Sequence, residues 1–185
     1  MNILVAGNKN YGLAKSIDNL LPNCTFASRT TGYDLCCRET KQKLIKESLN
    51  FDVFISVSCL YRGEQTLLIN ELVEEWYKND HKGYIIVLGS TADTPVPGSY
   101  WLYPAEKKGL RAYCRQISIM ISSDTPPAFK LTYLSPGNMN TPRAEEKRPG
   151  IPKLDTDYVA KIIKWLIDQP SNVNISELCL DQIQY

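Results

Sequence analysis

The chain has 185 residues with 21 basic and 20 acidic side chains, a formal net charge of +1. That length suits one domain with its own core, and that balance gives no reason to expect nucleic acid or an anionic membrane surface as a partner. Six cysteines form no Cys-x-x-Cys pair or metal-type spacing, and the one histidine, His81, lies in a polar turn. Buried free thiols in a reducing cytoplasm, a solvated His81 and no histidine-based metal site are therefore expected. No apolar run reaches membrane-spanning length.

Residues 2–6 read as a buried first strand rather than a signal peptide. Gly7-Asn8-Lys9-Asn10-Tyr11-Gly12-Leu13-Ala14 follows, then a helix to about residue 20. A strand, a glycine turn and a helix open a dinucleotide-binding fold. The glycines let the backbone approach a pyrophosphate, and the helix N-terminus offers free N–H groups. Gly7, Asn8, Asn10, Tyr11, Gly12 and Leu13 are the expected cofactor contacts. Residues 24–28 form the second strand, ending at Ser28, Arg29 and Thr30. A carboxylate there would bind the ribose 2′-hydroxyl of NAD; an arginine suits a 2′-phosphate, which favours NADP(H) over NAD(H).

Residues 32–35 are expected to form a short third strand. Residues 39–49 are a charged amphipathic helix with Leu44, Ile45 and Leu49 inward. Residues 51–57 form the fourth strand, closing on Ser56-Val57-Ser58-Cys59. Residues 64–77 are a second amphipathic helix, with Leu67, Leu68, Leu72 and Trp76 as core or interface.

The central stretch is 85–110. Ile85, Ile86, Val87 and Leu88 make a buried strand that ends at Gly89-Ser90-Thr91. A turn marked by Pro95, Pro97 and Gly98 leads to a helix near Tyr103-Pro104, where a proline is tolerated in the first turn. Tyr103 and Lys107, four apart, share one helix face. A free phenol titrates near 10 (~10), too high for a neutral-pH proton shuttle, and an ammonium one turn away favours the phenolate. Ser90, at the carboxyl end of the preceding strand, can bond a carbonyl or alcohol oxygen. The three form a general acid/base with a polarising donor. Tyr11 and Lys15 share the same spacing without that context.

Residues 129–134 alternate as the sixth strand and run into Ser135-Pro136-Gly137-Asn138-Met139-Asn140-Thr141-Pro142. Residues 143–153 read as a charged loop with no core signal. The last helix covers 155–167, with Asp155 or Thr156 as N-cap, and 175–180 would be a final edge strand.

The strand-end serine thirteen residues before a Tyr-x-x-x-Lys helix, behind an amino-terminal glycine loop, resembles the short-chain dehydrogenase/reductase family. The resemblance spans nearly the whole chain. It implies Ser90, Tyr103 and Lys107 as catalytic residues, with Tyr103 and Lys107 also meeting the nicotinamide ribose. It implies Asp34 and Leu35 beside the adenine, Ser56, Val57 and Ser58 along the cofactor, and Pro136, Gly137, Met139 and Thr141 on the nicotinamide side. The family pattern is Gly-x-x-x-Gly-x-Gly; here the loop is one residue longer and ends in alanine. The usual Asn-Asn-Ala-Gly is replaced by Ser56-Val57-Ser58-Cys59. The family's helix asparagine has no counterpart in register, and Gln65 and Asn70 read as surface residues. The implied architecture is one NAD(P)-binding Rossmann domain over 1–185. It is a doubly wound, mainly parallel seven-stranded sheet in a three-layer α/β/α arrangement. The implied activity is NADP(H)-linked hydride transfer with a small carbonyl or alcohol, in a cytoplasmic homodimer or homotetramer. The rival is a non-catalytic dinucleotide-binding sensor or scaffold.

Overall fold

The computed structural model describes residues 1–93 and 100–183, so the turn markers Pro95, Pro97 and Gly98 lie outside the described residues. Six strands, β1 (Ile3–Ala6), β2 (Cys24–Ala27), β3 (Val53–Ser56), β4 (Tyr84–Leu88), β5 (Lys130–Pro136) and β6 (Glu177–Leu180), form one sheet in the order β2-β1-β3-β4-β5-β6. Every neighbouring pair is parallel. All residues of β1, β3 and β4 are buried. Their nearly unbroken apolar runs are what a parallel strand covered on both faces requires. The outermost strands β2 and β6 are partly exposed, as edges are.

Helices α1 (Gly12–Leu20), α2 (Arg38–Glu47), α3 (Glu64–Lys78), α4 (Tyr103–Ile121), α5 (Pro142–Lys147) and α6 (Thr156–Ile167) complete the chain. One core cluster joins Leu4, Phe54, Ile85 and Tyr133 of the sheet to Leu44, Leu72, Trp76 and Leu110 of α2, α3 and α4. The other joins Val5, Ile55, Ile86 and Leu134 to Ile17 of α1 and Val159 and Ile163 of α6. Alternate residues along each strand feed opposite faces, giving the three-layer, doubly wound arrangement. No helix among the described residues is long and apolar enough to cross a membrane.

The expected third strand is absent, so among the described residues the sheet has six strands rather than seven. Residues 29–31 form a 3-10 turn held by a capping box between Ser28 and Thr31, and Gly32 takes φ +88°. Asp34 Oδ1 then accepts the Cys36 N–H at 3.0 Å, and its carbonyl accepts the Cys37 N–H. These local side-chain-to-backbone bonds compete with a ladder and win. Leu35 still enters the core, at 4% exposure.

Three smaller expectations are also corrected. Only Cys114 is a buried thiol; Cys36, Cys37, Cys59 and Cys179 are exposed. His81 is half-buried, edge-on to Trp76, with Nε2 2.9 Å from the Phe51 carbonyl. The stretch 143–153 is not a plain loop. It holds most of α5, capped by Thr141, and Lys153 binds Glu145 and the Ile151 carbonyl at 2.6 and 2.8 Å. Leu154 beyond it is buried and bridges Met139. Asp155 is the N-cap of α6, accepting the Asp157 N–H.

Candidate active site

Ser90, Tyr103 and Lys107 converge where β4 leaves the sheet and α4 begins. A Cβ on Gly89 would fall on the ring of Tyr133, so only glycine lets the chain cross that buried phenol and deliver Ser90 to the carboxyl edge. The Ser90 N–H donates to Tyr133 Oη at 3.4 Å, and Ser90 Oγ accepts the Ala92 N–H at 3.1 Å. Tyr133 Oη in turn donates to the Lys107 carbonyl at 3.4 Å. Tyr133, given no role in the sequence beyond the strand over 129–134, is thus the floor of the site.

Tyr103 is the first residue of α4, with Pro104 behind it as expected. Trp101 stacks on its ring, centroids 4.9 Å apart and planes 13° off parallel. Burial pushes the phenol up to about 12; the nearby Ser90 side chain works the other way, while Cys59, Tyr61 and Glu106 add to the rise. The expectation that Lys107 holds this phenol below its ordinary value is not met. Lys107 Nζ stands 5.4 Å from the Tyr103 ring centroid. Its hydrogen bonds go instead to Gln65 Oε1 at 2.7 Å and the Leu88 carbonyl at 3.5 Å. Lys107 is 4% exposed, and burial moves its own pKa down. Desolvation is the largest cause of both shifts.

Gln65 is 4% exposed, not a surface residue. It lies on the inner face of α3 with Leu68, Leu72 and Trp76. One amide on an otherwise apolar stripe is the signal that could have marked it. Asn70 does sit outward, bonding Glu74 and Tyr113. A second feature absent from the sequence reading is an ion-pair group. Arg111, one turn beyond Lys107, binds Asp93 of the post-Ser90 segment and Glu177 of β6, and Arg115 also binds Glu177.

The other predicted contacts lie along the same rim, at the carboxyl ends of β1, β2, β3 and β5. Asn8 organises the glycine loop: its Oδ1 accepts the Asn10 N–H at 3.1 Å and its carbonyl accepts the Tyr11 N–H at 3.0 Å. Gly12 takes φ +51°, and a Cβ there would stand 3.2 Å from Thr141. Tyr11 Oη accepts the Arg143 N–H at 3.0 Å. The glycine loop and the Pro136-Gly137-Met139-Thr141 loop therefore meet. Ala14, at the last glycine position of the pattern, packs against Gly7, whose Cβ would come within 3.2 Å of it. Leu13 is buried beside it. Gly137 donates to the Leu180 carbonyl at 2.8 Å.

Helix α1 has no side-chain cap and no acidic residue in its first turn, which leaves N–H groups free for an anion. Arg29 and Thr30 are exposed beyond β2, and Ser28 Oγ lies 2.8 Å from Thr30 Oγ1. Among the described residues Arg29 has no ion-pair partner. Ser56 is buried with its Oγ unpartnered, and the Val57 and Ser58 N–H groups both go to the Ala6 carbonyl. An uncapped helix, a glycine held open and an unpaired guanidinium at one sheet edge fit the phosphate groups of a dinucleotide. Asp34 and Leu35 are placed by the turn described above, with the Asp34 carboxylate already engaged at Cys36.

No protein-family model and no curated protein matches this sequence. Solved structures do. One described as a short chain dehydrogenase/reductase family protein matches at TM-score 0.75 and 16% identity, over 98% of this chain and 95% of that one. The closed form of a serine dehydrogenase complexed with NADP+ matches at 0.72 and 18%, over 97% and 94%. The 3-alpha-hydroxysteroid dehydrogenase from Pseudomonas sp. B-0831, complexed with NADH, matches at 0.71 and 15%, over 98% and 95%. The chain therefore has the fold of the short-chain dehydrogenase/reductase proteins, a Rossmann-type α/β architecture with one edge strand fewer than expected.

Proposed function

We propose that the protein is an NADP(H)-dependent oxidoreductase that interconverts a carbonyl and an alcohol. The observation that carries this reading is the meeting of Ser90, Tyr103 and Lys107 at the carboxyl edge of β4, beside an uncapped α1 N-terminus. A bound nicotinamide would supply or accept the hydride. In the reducing direction Tyr103 Oη delivers the proton to the substrate oxygen as its carbon gains the hydride. The Ser90 hydroxyl donates to that same oxygen. Lys107 offsets the negative charge that stays on Tyr103. Arg29 would meet the 2′-phosphate, and Gly7 to Thr141 the pyrophosphate side.

The test is a fluorescence titration of the full chain with NADPH and with NADH. Binding of NADPH at least tenfold tighter supports the reading of Arg29 and justifies a screen of carbonyl substrates. Tighter NADH overturns Arg29 while keeping the site; no binding of either overturns the proposal.

A second reading, a non-catalytic dinucleotide-binding protein, is favoured by one observation: Tyr103 sits up to about 12, far from a working acid/base at neutral pH. Dinucleotide binding with no turnover on any carbonyl would select it.

A further inference from the structure

We propose that Tyr133 is a positioning residue for Ser90. Its hydroxyl is a strut between the end of β4 and the turn of α4 that carries Lys107, and it sets how the Ser90 side chain faces Tyr103. The inference rests on the reading of Ser90 and Tyr103 as partners in one acid/base site.

The main chain around Ser90 shows why a side chain is needed there. The Gly89 N–H donates to the Leu134 carbonyl at 2.7 Å, and the Thr91 N–H donates to the Pro136 carbonyl at 3.2 Å. Those two bonds carry the pairing with β5 past the end of β4. The N–H between them belongs to Ser90. On the other side of β4, strand β3 ends at Ser56, opposite Val87, so the sheet has no carbonyl left for it. A part-buried N–H without a partner is costly. The Tyr133 hydroxyl takes it instead, at 3.4 Å.

The strut has one workable direction. A backbone N–H can only donate, a carbonyl can only accept, and a phenol does both. The Ser90 N–H therefore donates to Tyr133 Oη, and the Tyr133 O–H donates to the Lys107 carbonyl at 3.4 Å. Each bond is long, so the strut works through its two ends and a ring that is held still. That ring is fully buried, and glycine at 89 leaves it room. The consequence falls on the Ser90 hydroxyl. Its oxygen accepts the Ala92 N–H at 3.1 Å, which leaves its own hydrogen to donate to a substrate oxygen. The direction of that hydrogen follows from where the Ser90 main chain is held, and Tyr133 holds it against the helix that carries Tyr103.

The experiment is NMR on the full chain without ligand, in wild type, Tyr133→Phe and a variant with 4-aminophenylalanine at position 133. It reads exchange of the Ser90 amide proton, set against Ile85, Ile86 and Val87 of β4, and the NOE from Ser90 Hβ to the Tyr103 ring. Tyr133→Phe keeps the ring and removes the hydroxyl. It should speed Ser90 exchange about tenfold or more relative to the three strand amides and weaken the NOE. An aromatic amine donates well and accepts poorly, so the amino variant should fall between the two. A tyrosine that only packs would leave both readouts at wild-type values, and that result would overturn the proposal. Faster exchange with an unchanged NOE would overturn it too, because the bond would then exist without aiming Ser90. If Tyr133→Phe does not fold, wild type and the amino variant decide the matter, and equal Ser90 exchange in those two counts against the strut. The measurement needs neither cofactor nor turnover. A displaced Ser90 without NADPH binding would sink only the oxidoreductase reading. NADPH binding with Ser90 unmoved would sink only the role of Tyr133.

Discussion

The rim that would hold a dinucleotide and the corner that would do chemistry are built from different material. Around β1, β2 and β5 the site is main chain: a glycine at φ +51°, a helix start without a cap, a loop set by Asn8 and Tyr11. Around β4 and α4 it is side chains from four elements, with Gln65 of α3 and Tyr133 of β5 fixing Lys107 and Ser90. Backbone geometry leaves signatures in sequence because few residues tolerate it. A buried polar cluster leaves almost none, since its members come together only after the chain has folded.

The sharpest way to break that comparison is Tyr103→Phe. If the corner does the chemistry and the rim the binding, turnover should fall by about 10²–10⁴-fold, the usual worth of a positioned acid/base. NADPH affinity, read by fluorescence titration, should change less than about twofold. An equal loss in both would mean that Tyr103 belongs to the rim. Gly89→Ala tests whether the corner also depends on one backbone position. The added methyl would overlap a fully buried ring with nowhere to move. Overpacking of this kind costs about 1–3 kcal/mol, so thermal denaturation should shift down by about 2–12 °C. Tyr133→Phe in the same background leaves the ring and should not rescue it.

What was legible follows the same division. The alternation of strands and helices, the glycine loop and the Ser90/Tyr103/Lys107 spacing are local patterns, and the fold puts the first two where they were read and the three side chains at the junction of β4 and α4. The third strand failed because Ser28, Thr31, Gly32 and Asp34 satisfy the backbone locally, so nothing is left to pair with β2. Gln65 was passed over because an amide at a helix start reads as solvated unless its stripe is followed around the helix. The direction of the Tyr103 shift could not be read either. It depends on how completely Lys107 and Tyr103 are desolvated, a property of packing that spacing does not carry.

On the rim, Arg29→Asp sharpens the cofactor side of the comparison. Replacing an exposed guanidinium by a carboxylate should cost NADPH about tenfold or more in affinity, about 1.4 kcal/mol, and leave NADH unchanged or improved. Equal losses for both cofactors would show that Arg29 does not read the 2′-phosphate. The loss should also shrink at high salt, because the site is open to solvent.

The smallest effect concerns the tie between the corner around Ser90 and α4 and the outer strand. Burial of Glu177 works against its ionisation, yet hydrogen bonds from Arg111 and Arg115 outweigh it and bring the carboxyl down to about 2 from 4.5. A carboxyl depressed in the folded state stabilises above its unfolded value and loses that contribution as pH falls towards the folded one. The window is therefore about pH 4.5 down to 2. Arg115 is 60% exposed, so solvent screening reduces the effect to about 1 kcal/mol. Glu177→Gln should lower denaturant-derived stability by that amount at pH 7 and flatten its fall between pH 4.5 and 2. Because Arg111 also holds Asp93, three residues past Ser90, the same variant asks whether the corner is autonomous. Unchanged Tyr103 titration and turnover at pH 7 would make the ion pairs a buttress of the edge alone. A loss of turnover without a loss of NADPH binding would extend the catalytic corner out to β6.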